Sequence, residues 1–400
     1  MEQNNLVSAE RIHIGFFGLR NAGKSSLVNA VTGQNLAVVS DVKGTTTDPV
    51  KKAMELLPLG PVVIIDTPGL DDEGELGTLR VQKARQVLAR VDLAVLVVDA
   101  VKGLSSQDKA LLAEWKERSL PHLLVFNKAD LVPEAERTMA GLYVSAATGE
   151  HISELKEALA SLKKQDRAEK KLVSDLLKPG AVVVLVVPID KAAPKGRLIL
   201  PQQQTIRELL DAGCTVLVTR DEELPQTMQR LKELPDLVIT DSQVFGKVAA
   251  VVPPEVPLTS FSILFARYKG ELSQLVHGAS RLLHLRDGDR ILISEGCTHH
   301  RQCGDIGTVK LPGWIKAHTG VNITFDTTSG GDFPENLQSY ALVLHCGGCM
   351  LTETEMKNRI RTAAEAHVPM VNYGVAIAAL HGVLERSLEL FPNIRAQLHP

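Results

Sequence analysis

The sequence has no excess of positive charge. Lys and Arg number 44 against 47 Asp and Glu, so the formal net charge of the 400 residues is −3. Proteins that hold a nucleic acid through its phosphates usually carry a clear positive charge. The composition therefore disfavours nucleic acid as a partner of the whole chain.

Long apolar runs and export signals are also lacking. No run approaches the roughly 20 apolar residues that a helix needs to cross a bilayer. The polar start MEQNNLVSAE has neither the basic segment nor the apolar core of a secretion signal. We therefore expect a cytoplasmic protein that does not enter a membrane.

Cysteine is scarce, and its distribution is uneven. Four of the five cysteines fall between Cys297 and Cys349. Because disulfides are rare in the cytosol, such clustering indicates metal chemistry. Cys214 stands apart, after a glycine at the start of an apolar run, and is predicted to be a core residue.

The rest of the composition is that of a globular protein with several cores. Apolar residues make up 44% and charged residues 23%, and a chain this long is expected to form two or three domains. Apolar strand-like runs alternate with helical stretches and predict an α/β fold, and no fixed-period repeat is visible. The predicted domains are residues 1–170, 171–264 and 265–400.

Each predicted domain has its own character. The strands RIHIGFF, VVIID, DLAVLVVDA, HLLVFN and LYVSA of the first predict a doubly wound parallel sheet. The second consists of short βα units whose exposed sheet edges must be covered, and dimerisation is one way to cover them. In the third, two clusters of metal-ligand residues each follow directly on a strand, where open α/β sheets usually bind ligands.

Residues 18–25 read G-L-R-N-A-G-K-S and match the phosphate loop G-x-x-x-x-G-K-S between a strand and a helix. Its glycines let backbone N–H groups surround the β-phosphate. Lys24 is expected to reach the β and γ oxygens, and the Ser25 hydroxyl to bind Mg²⁺. The predicted contacts of this loop are Gly18, Asn21, Ala22, Gly23, Lys24, Ser25 and Ser26.

Three further segments complete a nucleotide site. Asp66 ends a strand, where its carboxylate can hold Mg²⁺ through water, and the Gly69 N–H can sense the γ-phosphate. The segment Asn127-Lys128-Ala129-Asp130 predicts guanine specificity, since the Asp130 carboxylate can accept from N1–H and the 2-amino group. Adenine offers no such pair of donors. The segment Ser145-Ala146-Ala147 is expected to present backbone N–H groups to the guanine O6.

With these motifs, the first 160 residues resemble the TrmE and Era group of translation-related GTPases. The resemblance implies that residues 44–48 form switch I, with Thr46 binding Mg²⁺ and taking part in catalysis beside Lys24; Thr45 is the alternative. It also implies that Asn21 coordinates an activating K⁺. Leu70 replaces the water-orienting glutamine of Ras-like proteins, so hydrolysis is expected to be slow. The acidic residues that remain as alternatives for orienting water are Asp71, Asp72, Glu73 and Glu75.

The cysteines lie in a second motif, Cys297-Thr298-His299 followed by His345-Cys346-Gly347-Gly348-Cys349. Thiolates suit both zinc and an iron–sulfur cluster. Three thiolates leave one iron of a cubane without a cysteine, and His299, His345 or an exchangeable ligand could complete it. His345 could instead orient a ligand. Cys303 falls outside the pattern.

A helix is predicted to begin close to these sulfurs. Thr352-Glu353-Thr354-Glu355 fits a capping box. The positive end of a helix dipole stabilises nearby negative charge, and an anionic cluster would benefit.

Both motifs in this order, with a motif-poor βα module between them, resemble the HydF family of FeFe-hydrogenase maturation GTPases. The resemblance covers nearly the whole chain. It implies a homodimer with GTPase, dimerisation and 4Fe-4S cluster domains. It also implies a scaffold that receives a di-iron precursor of the H-cluster, made with two radical SAM maturases, and passes it to apo FeFe-hydrogenase.

Two other functions remain compatible with the residues. One is a potassium-dependent GTPase of RNA modification or ribosome assembly, which the N-terminal motifs favour and the acidic balance disfavours. The other is a zinc-stabilised, GTP-regulated adaptor.

Overall fold

A computed structural model describes residues 11–34, 50–69, 84–165, 170–189, 198–296, 305–334 and 336–398. The chain divides into two compact units, residues 1–168 and 169–400. Within the described ranges, no helix has the length and apolar character needed to cross a membrane.

The first unit is built on a six-stranded sheet with the order β2-β3-β1-β4-β5-β6. All neighbours are parallel except β2, which runs antiparallel to β3 at one edge. The five strands predicted from the sequence form the parallel part of this sheet, and β2, which was not predicted, is the antiparallel addition. The strands are β1 Ile12–Phe17, β2 Val50–Leu56, β3 Gly60–Asp66, β4 Leu93–Asp99, β5 His122–Asn127 and β6 Leu142–Tyr143.

Helices cover both faces of this sheet, as a doubly wound fold requires. Alternate residues of the fully buried β4 enter two different cores: Val95 and Val97 on one face, Leu96 and Val98 on the other. Residues 84–88 are also helical. The other helices are α1 Lys24–Thr32, α2 Ser106–Glu117 and α3 Ile152–Gln165.

The second unit contains two four-stranded parallel sheets. We call residues 172–270 the middle module and residues 273–390 the C-terminal module. The strands are β7 Val182–Val186, β8 Thr215–Thr219, β9 Leu237–Thr240, β10 Leu258–Ser260, β11 Arg290–Glu295, β12 Thr324–Ser329, β13 Leu342–His345 and β14 Met370–Asn372. The helices are α4 Leu200–Asp211, α5 Leu224–Arg230, α6 Phe245–Ala249, α7 Phe261–Lys269, α8 Leu272–Leu283, α9 Leu311–Thr319, α10 Glu353–Glu365, α11 Tyr373–Leu380, α12 Leu384–Ser387 and α13 Pro392–Arg395.

The two modules have the same topology. Their sheets run β10-β9-β7-β8 and β14-β13-β11-β12, so in each the first strand lies between the second and the third. When the strands of the two modules are matched by their register, Val186 occupies the position of Ser294, and Thr240 occupies the position of His345. The fourth strands begin in the similar segments VPLTSF, from residue 256, and VPMVNY, from residue 368. The chain therefore contains an internal repeat. The repeat has no fixed period in the sequence, because the loops of the two copies differ in length.

The two modules share one interior. Leu185 and Ile239 of the middle module belong to the same apolar cluster as Ile293 and Leu344 of the C-terminal module. Helices α7 and α11, which are equivalent in the two copies, pack against each other. The predicted division after residue 264 falls inside α7.

Candidate nucleotide and cluster sites

The phosphate loop connects β1 to α1, and neighbouring residues pack tightly against its glycines. Gly18 and Gly23 have φ of 142° and 85°, values that side chains rarely allow. A Cβ at Gly18 would lie 2.2 Å from the Val97 carbonyl oxygen, and one at Gly23 would lie 2.2 Å from Asn127 Nδ2. Both glycines are therefore required by conformation and by space.

Lys24 is the buried cation of this loop. Its residue is 7% exposed, and Nζ donates to the carbonyl oxygens of Gly18 at 3.0 Å and Leu19 at 2.9 Å. The ammonium therefore lies across the loop beside the start of α1, where N–H groups and the helix dipole favour an anion.

Ser25 and Asp66 form a pair that suits a hydrated Mg²⁺. Ser25 Oγ donates to Asp66 Oδ2 at 2.6 Å, while Asp66 Oδ1 is buried without a hydrogen-bond partner among the described residues. Burial raises the pKa of Asp66, and the Ser25 hydrogen bond and the Lys24 charge oppose the rise. A hard cation near these oxygens would satisfy the orphaned atom and favour the charged carboxylate.

Asn127 joins the base loop to the phosphate loop. It is 2% exposed, and its Nδ2 donates to the Ala22 carbonyl oxygen at 3.0 Å. Its Oδ1 accepts from the Ala146 N–H at 3.1 Å. One side-chain amide thus fixes three loops of the predicted site relative to one another.

Asp130 is exposed, and a neighbouring side chain holds its orientation. Its Oδ1 accepts from the hydroxyl of the buried Ser145 at 2.6 Å. Lys128, with φ of 65°, donates from Nζ to Asp99 Oδ2 at 2.6 Å. Burial works to raise the pKa of Asp99, but the hydrogen bonds from Lys128 and the Val101 N–H outweigh it and hold this pKa below its usual value.

The predicted nucleotide-binding residues that the structure describes lie together at one edge of the first sheet. They do so because each follows the carboxyl end of a parallel strand. Gly69 lies against the phosphate loop, since a Cβ there would come within 3.1 Å of the Arg20 Cα. Asn21 is exposed at the loop with φ of 61°. The predicted residues outside the described ranges are Thr45, Thr46, Leu70, Asp71, Asp72, Glu73 and Glu75.

The second candidate site lies at the switch point of the third sheet. β11 and β13 are neighbours, but the chain leaves β11 towards β12 on one side and returns to β13 on the other. Ligands bind to open α/β sheets at such a point. Gly296 follows β11 and Cys346 follows β13, and the Cys346 N–H donates to the Ser294 carbonyl oxygen at 2.9 Å.

The Cys346 sulfur is already in an environment of N–H donors. Sγ accepts from Gly296 N at 3.1 Å and from Gly348 N at 3.4 Å. Burial raises the pKa of the Cys346 thiol to about 11, although both N–H groups lower it. Burial also raises the pKa of Cys349, against the charge of Lys269. Neither thiol is in a disulfide, so binding a metal or cluster would have to displace their protons.

His345 is placed to orient rather than to bind a metal. The ring is fully buried, with Nδ1 at 2.7 Å from the Cys346 carbonyl oxygen and Nε2 at 3.0 Å from Arg359 Nη1. Burial and the Arg359 charge lower the pKa of His345 to about 3. The neutral ring therefore donates from Nδ1 and accepts at Nε2, and neither nitrogen is available to a metal in this structure.

Arg359 is a residue that motif reasoning missed. It is 3% exposed and donates from Nη2 to Glu355 Oε1 at 2.8 Å and to the Gly330 carbonyl oxygen at 2.7 Å. The available signal was the Glu355–Arg359 spacing of one helical turn within α10. The Thr352 side chain caps this helix by accepting from the Glu355 N–H, which is one half of the predicted capping box. Through His345, this guanidinium supports the backbone at Cys346.

Two predicted ligands and the neighbouring Cys303 belong to one segment of the chain. Cys297, His299 and Cys303 lie outside the described residues. Among the residues that are described, no group of three or more His, Cys, Asp and Glu side chains could hold a metal ion. Cys214 is 6% exposed in the core of the second unit.

Comparison with known families decides the relationship. The hydrogen maturase F dimerization domain matches residues 172–270, and the hydrogen maturase F tetramerization domain matches residues 273–390. The chain belongs to the hydrogen maturase F family. The 50S ribosome-binding GTPase family matches residues 13–128, so the hydrogen maturase F modules follow a GTPase domain.

Curated GTPases are similar to part of this chain. The tRNA modification GTPase MnmE of Nitrosomonas europaea is 36% identical over 163 residues, which is 39% of this chain and 36% of that protein. GTPase Der of Clostridium botulinum is 34% identical over 134 residues, 32% of this chain and 30% of that protein. The chain thus spans about a third of the length of these relatives.

Similarity to solved structures is weak. Aquifex aeolicus Era bound to GDP and AlF4⁻ aligns with a TM-score of 0.35 and 18% identity, over 54% of this chain and 97% of that one.

Proposed function

We propose that this protein is a GTP hydrolase and iron–sulfur scaffold that assembles or transfers the di-iron subcluster of the H-cluster to apo FeFe-hydrogenase. The observation that carries the proposal is the pair of sites in one chain. The first unit has a phosphate loop with a buried lysine, and the second has a C-x-x-C loop at a switch point with N–H groups aimed at a sulfur. Membership of the hydrogen maturase F family supports the proposal.

In the first site, GTP binds with its phosphates over residues 18–25 and its base against Asp130. Lys24 holds the β and γ oxygens, while Ser25 and Thr46 bind Mg²⁺ beside Asp66. The Ala146 N–H already donates to Asn127, so we assign the next amide, that of Ala147, to the guanine O6. K⁺ at Asn21 raises a slow basal rate of hydrolysis.

Asp130→Asn is expected to change base preference from guanine to xanthine. The asparagine amide group can donate a hydrogen bond to the O2 of xanthine. Guanine has two N–H donors at this edge, and asparagine offers them one acceptor oxygen where aspartate offers two. Loss of a charge-assisted hydrogen bond costs about 1.5–3 kcal/mol, so the Kd for GTP should rise about 10- to 150-fold. Titration with fluorescent GTP and xanthosine triphosphate measures both affinities. Glu134→Gln, on an exposed residue of the same segment, is the matched control, and an unchanged GTP preference of Asp130→Asn would contradict the assignment.

In the second site, Cys297, Cys346 and Cys349 hold a 4Fe-4S cluster. The donor set fits, because thiolates are the usual ligands of such a cluster and N–H groups to sulfur tune it. His299 or an exchangeable ligand completes the fourth iron, and we assign His345 to orientation. If the ligand of the fourth iron is exchangeable, the cluster would supply an iron to which the di-iron cargo could bind. The chain's own residues hold the sulfurs, exclude water and fix the loop.

Metal analysis of anaerobically purified protein tests this function directly. A brown protein with iron and sulfide supports the scaffold, whereas a colourless protein with zinc supports the adaptor. Iron with no cubane signal in electron paramagnetic resonance after reduction would reject the maturation role.

The sheet edges of the middle module support self-association through this module. The edge strand β10 is covered, since Thr259 Oγ1 donates to the Ser387 carbonyl oxygen and the Leu258 N–H to Glu389. Among the described residues, no further strand lies beside β8, the opposite edge strand of this sheet. Val218 on β8 is 50% exposed. We assign the homodimer contact to this edge.

Val218→Lys is expected to convert the dimer into a monomer, because a charged side chain on an edge strand opposes pairing. Size-exclusion chromatography with light scattering measures the mass. Val101→Lys, at a 61% exposed position of the first unit, should leave the mass unchanged. A dimer that persists in the Val218→Lys protein would place the contact elsewhere.

A further inference from the structure

Lys269 is a buried cation beside the C-x-x-C loop that no motif contains. It is the last residue of α7 and is 4% exposed. Its Nζ donates to three carbonyl oxygens, those of Gly348 at 3.3 Å, Cys349 at 3.0 Å and Leu351 at 2.8 Å. All three acceptors belong to the loop that follows β13 and carries the cysteines.

Burying an ammonium group is costly unless its donors are satisfied. A lysine has three N–H donors, and here three carbonyls accept from it. These contacts fix the backbone of residues 348–351, which follows Cys346. The loop is thus held from the middle module as well as from its own strand.

The internal repeat shows that the buried cation is not a requirement of the fold. Counted from the equivalent segments VPLTSF and VPMVNY, Lys269 corresponds to His381 at the end of α11. His381 is exposed. Of the two equivalent helices, α7 ends in a buried charge next to the cysteine loop and α11 does not. This difference indicates that Lys269 has a role at the cluster site.

We propose that Lys269 is a positioning residue of the cluster site, which fixes the C-x-x-C loop through its carbonyls and keeps a positive charge beside the cluster. This inference rests on the proposed function for the presence of the cluster. A positive charge nearby favours the more negative, reduced form of a cluster, because net charge and surrounding hydrogen bonds set its potential.

The test uses the full-length protein, reconstituted anaerobically, with Lys269→Met and Lys269→Gln. Glutamine can still donate to the loop but carries no charge, and it also serves if the methionine variant does not fold. The midpoint potential of the cluster should fall by about 59 mV in each variant. At the midpoint of the unaltered protein, the ratio of oxidised to reduced cluster should therefore rise about tenfold. Lys269→Arg should retain the original midpoint. Lys232→Met, at an exposed position of the same unit, is the control.

Hydrogen exchange of the metal-free protein provides a readout that does not need the cluster. Lys269→Met should speed amide exchange of residues 345–352 at least about tenfold, because the loop loses its anchor. Unchanged exchange together with an unchanged midpoint would overturn the proposal. If the unaltered protein binds no iron, the proposed function fails, while faster exchange in the variant still shows that Lys269 positions the loop.

Discussion

Cys346→Ser is expected to leave the C-terminal module without iron. The thiol follows β13 directly, and its sulfur accepts two N–H hydrogen bonds. A serine hydroxyl ionises far less readily than a thiol and binds iron poorly, so the content should fall from about four iron atoms per chain to near zero. Cys349→Ser should have the same effect. Iron and sulfide assays after anaerobic reconstitution, with electron paramagnetic resonance of the reduced protein, measure the loss.

The fold should survive this substitution, because a serine oxygen can accept from the same N–H groups. Circular dichroism checks that point. Cys214→Ser is the matched control, since Cys214 lies in the apolar core of the second unit and outside the proposed ligand set. Iron content that stays normal in Cys346→Ser, or that falls equally in Cys214→Ser, would refute the ligand assignment.

Lys24→Ala is expected to abolish GTP turnover and with it the maturation of hydrogenase. The substitution removes the buried ammonium that lies across the phosphate loop. Losing one preorganised group that stabilises transition-state charge lowers kcat by about 100- to 1,000-fold. Phosphate release measures turnover, and a reconstituted maturation assay with apo FeFe-hydrogenase measures transfer.

Iron loading separates the two sites in the same experiment. Lys24→Ala should bind a normal amount of iron, because the cluster residues belong to the other unit. Lys109→Ala, at an exposed position of α2, controls for the loss of a lysine. A Lys24→Ala protein that matures hydrogenase at the normal rate would show that GTP does not gate cargo exchange.

The nucleotide residues were predictable because each motif is a short local segment at a strand end. Strand order then brings residues 18–25, Asp66 and Asn127 to the same edge of the sheet. The edge strand β2 was not predictable in the same way, since Lys51, Lys52 and Ala53 are all exposed and leave no apolar alternation. Apolar periodicity detects strands by their burial, and β2 is largely exposed.

The cluster site was only partly predictable for a different reason. The cysteines signal chemistry by residue type, but the roles of the groups around them depend on packing between distant segments. Lys269 lies about 80 residues before the carbonyls it contacts, and nothing local distinguishes it from a surface lysine. For His345 the residues allowed either a ligand or an orienting group, and burial against Arg359 favours the second.

The internal repeat indicates that the architecture of the C-terminal module does not require its cysteines. Since Thr240 is equivalent to His345 by register, Asp241 follows the strand in the middle module where Cys346 follows it in the other copy. The middle copy reaches the same architecture with no cysteine between residues 241 and 257. The shared architecture therefore does not depend on these cysteines, and we expect the C-terminal module to stay folded whether or not they hold a ligand.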